Sequence, residues 1–115
     1  SKICDIFTNF LESGYRIFVG SDHGTVWCRG NGYEAEKYLV ENRARRALMY
    51  ANETLADEFV EGKNVYKYMK KDIFGDEVAI FPKEREMFAK VGNTAISHGG
   101  LHIEEVIIPF IEVIR

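Results

Sequence analysis

Apolar and polar positions follow two different rhythms along this chain. Ile3, Ile6, Phe7, Phe10 and Leu11 recur at the spacing of one helical face, with Asp5, Thr8, Asn9 and Glu12 between them. Gly14 stands where a left-handed C-cap belongs, so a helix is predicted to end there. Tyr15 to Val19 is a β-branched and aromatic run between Gly14 and Gly20, which predicts a short buried strand. Val26-Trp27-Cys28 predicts a second strand, closed by the Arg29-Gly30-Asn31-Gly32 turn.

The middle of the chain is ambiguous. Residues 34–60 are rich in Ala, Glu, Leu and Arg and favour helix, yet 43–50 fit a strand laid beside the first one equally well. Leu55, Ala56, Phe59 and Val60 predict one helix, and Val65, Tyr68 and Met69 a shorter one. Val78 to Phe81, ended by Pro82, reads as a strand. Val106 to Ile114 is apolar on both faces apart from Glu112, so a strand covered on both sides is expected, with Pro109 removing one ladder donor. The expected fold class is α/β, a partial sheet with flanking helices in a single domain over 1–115.

Composition narrows the function classes. The 115 residues suffice for one domain, and 46% hydrophobic with 29% charged residues excludes a disordered chain. A formal charge of -3 gives no basic field, so charge does not indicate nucleic acid. Apolar runs such as Val106 to Ile111 fall far short of the roughly 20 residues of a membrane helix. No secretory leader pattern opens the chain, and Cys4 and Cys28 make no disulfide framework, so a cytoplasmic setting is expected. The start at Ser1 and the stop at Arg115, straight after an apolar run, suit a piece of a longer protein.

Two segments carry candidate chemistry. Ser21-Asp22-His23-Gly24 directly follows the first strand, where ligands collect in open α/β sheets. Asp22 and His23 offer a hard oxygen and an imidazole nitrogen, a pairing suited to Zn²⁺ or Mn²⁺, and Gly24 lets the chain turn so that both reach one ion. The same four residues also make a good turn with an Asx hydrogen bond. In Ser97-His98-Gly99-Gly100-Leu101-His102, the glycines argue against a helix presenting His98 and His102 together. His98 therefore pairs with something distant or is a buried histidine bonded to a carbonyl. Arg43, Arg45 and Arg46 form the only basic cluster, either a phosphate contact or a solvated face. Cys28 reads as a small buried hydrophobe.

Taken together, Ser-Asp-His-Gly after a strand and Ser-His-Gly-Gly-Leu-His-Ile-Glu-Glu-Val-Ile-Ile-Pro-Phe-Ile further on resemble the PglZ domain of the alkaline phosphatase-like superfamily. The resemblance anchors at Tyr15 to Gly24 and Thr94 to Glu112 and matches the later part of that domain. It implies an alkaline phosphatase-like sheet and metal-dependent hydrolysis of a phosphate mono- or diester in bacterial phage defence or signalling. Asp22 and His23 would bind one of two divalent ions, Zn or Mn, and His98 the other. The Ser or Thr nucleophile would lie upstream, in the remainder of the parent chain; Thr8, on the polar face of a helix, has no Asp beside it. The family usually has Ser or Thr at the His102 position, a helix-capping slot, so His102 is a cap or an extra ligand. The competing reading is a non-catalytic scaffold or regulatory module that keeps the fold.

Overall fold

The computed structural model describes residues 1–35 and 45–115. Its first element, α1 (Lys2–Glu12), starts at the Ser1 side chain and ends in the expected way. Gly14 has φ +87°, its N–H donates to the Leu11 carbonyl, and Tyr15 N–H donates to the Phe10 carbonyl, both at 3.1 Å. That is a Schellman closure, sealed by the edge-to-face contact of Phe10 with Tyr15 at 5.6 Å.

Among the described residues eight short strands form three small sheets. β1 (Ile17–Gly20) pairs antiparallel with β8 (Phe110–Val113) in a two-stranded ladder, Gly20 opposite Phe110. β2 (Val26–Gly30) lies between β6 (Glu86–Met87), parallel, and β7 (Thr94–Ser97), antiparallel. β5 (Val78–Pro82) lies between β3 (Leu48–Tyr50) and β4 (Val65–Tyr68), both antiparallel. The described residues also form the helices α2 (Glu53–Val60), α3 (Lys71–Phe74) and α4 (Ile103–Val106). The result is a mixed α/β architecture.

Among the described residues the apolar core sits in two clusters. Leu48, Tyr50, Ala56, Val78, Ile80 and Phe88 join α2 to the β3-β5-β4 sheet. Val26, Cys28, Met87 and Ala89 close the inner face of the β6-β2-β7 sheet. Burial pushes the Cys28 thiol up from its ordinary value, as expected of a cysteine acting as a hydrophobe.

Several expectations are corrected. The strand over 15–19 forms at Ile17–Gly20, but it is not buried: Phe18 and Val19 face outward. Val106 to Ile114 is not one covered strand; α4 takes its start, Pro109 falls between helix and strand, and β8 is open, with Phe110 70% exposed. The predicted short helix around Val65 is β4, because β-branched and aromatic side chains in Val65-Tyr66-Lys67-Tyr68 fit a pleated surface beside β5. The strand predicted within 43–50 exists as β3, but it pairs with β5 rather than with β1.

Exposed apolar surface accompanies an extended shape. The radius of gyration is 19.1 Å, against about 13 Å for a compact domain of this length. No residue of α1 is buried, and Ile3, Ile6 and Phe10 are at least half exposed. Among the described residues no helix is long and apolar enough to cross a membrane.

Candidate metal-binding site

The β2–β7 register builds the site. Val26 opposes Ser97, so the chain before Val26 and the chain after Ser97 leave the same end of one ladder. His23 lies just before β2 and His98 follows β7 at once. Their imidazoles stack with ring centres 3.8 Å apart and planes 14° from parallel. Asp22 joins them: its Oδ1 lies 3.7 Å from His23 Nε2. Asp22, His23 and His98 therefore lie at the same end of the β2–β7 ladder.

The tautomer of His23 follows from its neighbours. Nδ1 lies 2.7 Å from the Gly24 carbonyl, which can only accept, so Nδ1 carries the proton. Nε2 is then the ring nitrogen on the Asp22 side, 3.7 Å from its Oδ1. Ser21 steadies the same turn by donating its hydroxyl to the His23 carbonyl at 2.6 Å. Asp22 is 88% exposed at its side chain and His23 39%, so the pair is open to solvent.

Gly24 has a different role from the turn expected of it. A Cβ there would sit 1.9 Å from the Glu104 carbonyl oxygen, so its need is for space rather than an unusual φ. Its N–H donates to the Glu105 carbonyl at 2.8 Å, which seats the His23 loop on α4. Gly99, by contrast, does need its freedom, with φ +97°.

The His98 loop is also seated on α4. His102 is the N-cap: its Nδ1 accepts from Glu104 N–H at 3.2 Å, and the Glu105 carboxylate accepts from His102 N–H at 2.9 Å. Of the two roles open to His102, the cap is the one observed.

Arg46 requires a correction. It was expected at a phosphate-facing or solvated surface, but it is completely buried. Its Nε donates to Glu105 Oε1 at 2.7 Å, its Nη2 to Glu105 Oε2 at 2.6 Å, and its Nη1 to the Glu86 carbonyl. Three of its five donors are thus committed to protein, away from solvent. Arg45 is exposed, with φ +60°. Arg43 lies outside the described residues.

Glu105 was missed as a site-building residue. Burial alone would push its carboxyl up, but the Arg46 guanidinium and the N–H groups of Gly100 and His102 outweigh that and hold it below the usual carboxylate range. The signal was present: Glu stands three residues after the cap, as in a capping box, but His at the cap position disguised it.

Asp22 Oδ1 and His23 Nε2 lie 3.7 Å apart, a separation that suits two ligands of one ion. Two ligands about 2.0–2.2 Å from Zn²⁺ at the tetrahedral angle are about 3.4 Å apart. The donor types fit Zn²⁺ or Mn²⁺, but the number falls short of a complete site. Among the described residues no group of three His, Cys, Asp or Glu side chains is arranged to hold a metal.

With this geometry in view, the chain matches over residues 1–113 the family described as the BREX system PglZ alkaline phosphatase-like domain. The match covers nearly all of the sequence, and the chain belongs to the PglZ family. No curated protein and no solved structure matches it.

Proposed function

We propose that this chain is the later part of a PglZ domain with an alkaline phosphatase-like sheet, and that the whole domain hydrolyses a phosphate mono- or diester with two divalent ions. Family membership supports a phosphoesterase-type domain. The observation that carries the finer reading is the stack of His23 on His98 at 3.8 Å. Imidazole lone pairs lie in the ring plane, so parallel rings direct them along parallel planes rather than to one point. Two such ligands suit two ions, and paired ions in phosphoryl-transfer sites sit about 3.5–4 Å apart. Asp22 and His23 would hold one ion and His98 the other.

The ions would supply charge neutralisation for a phosphoryl oxygen. This chain's own residues hold and orient: Gly24's carbonyl fixes the His23 tautomer, and the two loops on α4 keep the imidazoles in register. The nucleophile and the remaining ligands come from the rest of the parent chain. Arg45, the exposed described member of the basic cluster, is the remaining candidate there for phosphate, with Arg43. The family's association with BREX, a phage-defence system, supports a role in phage defence; a cytoplasmic setting is part of the same proposal.

The test is hydrolysis of an aryl phosphate by the full-length protein with Mn²⁺ or Zn²⁺. Turnover should vanish in Asp22→Ala and in His98→Ala while the fold persists, and the 115-residue chain alone should be inactive. Robust turnover in both folded variants would exclude the reading. A full-length chain without a Ser or Thr nucleophile would favour the regulatory module instead.

A further inference from the structure

We infer that Glu105, clamped by Arg46, is the positioning residue of the candidate site: it ties the loop carrying His23 to the loop carrying His98. Its two ends grip different segments. The backbone carbonyl accepts from Gly24 N–H at 2.8 Å, one residue beyond His23. The carboxylate accepts from Gly100 N–H at 3.0 Å and His102 N–H at 2.9 Å, on the His98 loop. Arg46 closes the remaining positions with a bidentate fork, and both side chains are 1% exposed.

Helix capping alone does not account for this arrangement. A capping-box glutamate works at the surface and needs no arginine. Removing two charges from water carries a desolvation cost that a packed apolar pair avoids, and the best-attested return on that cost is a fixed geometry. The geometry fixed here is the approach of the two loops. Gly100 shows how closely the Arg46 clamp packs on the His98 loop, since a Cβ there would meet the guanidinium at 2.7 Å. Glu104, the adjacent residue, makes its ion pair with Arg85 at the surface and grips neither loop by its side chain.

This inference rests on His23 and His98 being the site, but not on the ion they hold, so its test is run in chelator. The chain has 3 histidines, and histidine-only isotope labelling resolves each ring by NMR. The wild type should show a ring-to-ring NOE between His23 and His98. In Glu105→Gln this NOE should disappear while the signals of Tyr50 and Val78, read on a uniformly labelled sample, keep their positions; Glu104→Gln should retain it. A folded Glu105→Gln protein with the NOE intact overturns the proposal. Should Glu105→Gln not fold, the double variant Arg46→Met/Glu105→Leu restores an apolar contact without the grip, and the same loss is expected there. Should that fail too, wild-type amide exchange decides: the N–H groups of Gly24, Gly100 and His102 must be protected and open together. Free exchange at any of them in the folded protein overturns the proposal. Zn²⁺ binding is measured separately, so a failed metal reading leaves this result standing.

Discussion

Arg46 and Glu105 form a bidentate ion pair, Nη2 to Oε2 at 2.6 Å, with both side chains shut off from water. Breaking it from one side leaves a buried charge without a partner. Arg46→Ala should therefore cost about 3–5 kcal/mol, the range for an orphaned buried ion. Urea denaturation checks this, and a cost below about 1 kcal/mol would mean that water reaches the carboxylate.

The same pair sets an acid limit. The Glu105 carboxyl is held below its ordinary value, which is about 4.3. Its stabilising contribution is fully present above that value and is lost as pH falls through the lower folded-state value. Wild-type stability should therefore decline below about pH 4.3, and Glu105→Gln should decline less steeply in that window. Equal slopes would show that other carboxylates govern the acid transition.

Glu104 provides the contrast within one helical turn. Its Arg85 partner also holds its carboxyl below the usual range, but the pair is exposed, with side-chain exposures of 44% and 46%. Surface pairs contribute little after screening and side-chain entropy. Glu104→Gln should leave the denaturation midpoint unchanged, and added salt should not alter the comparison. A loss matching that of Glu105→Gln would undo the distinction drawn between the two residues.

Gly24 is the tightest point of the His23 loop. Gly24→Ala forces a Cβ to within 1.9 Å of the Glu104 carbonyl, so backbone must move. The expected cost is about 1–3 kcal/mol, as for other overpacked sites, with loss of the His23–His98 NOE. A fully stable Gly24→Ala protein retaining that contact would contradict the close docking of the loop on α4.

Legibility in the sequence tracked how local each interaction is. α1 and its Gly14 closure were readable because Ile3 to Leu11 carry a helical period and one glycine ends it. The pairing of His23 with His98 was legible only because the two motifs occur jointly, and the β2–β7 register then explains why they meet. What failed depended on partners distant in sequence. β4 was mistaken for a helix because its strand identity comes from pairing with β5. Arg46 looked like surface because its partner lies far along the chain in α4. Glu105 was hidden by an unusual cap, His102, in a place where Ser or Thr would have announced it.

The most direct measurement of the central claim is anomalous diffraction from crystals of the full-length protein grown with Zn²⁺. Two peaks are expected, one beside Asp22 Oδ1 and His23 Nε2 and one beside His98, about 3.5–4 Å apart. A single peak shared by all three side chains, or none at His98, would contradict it.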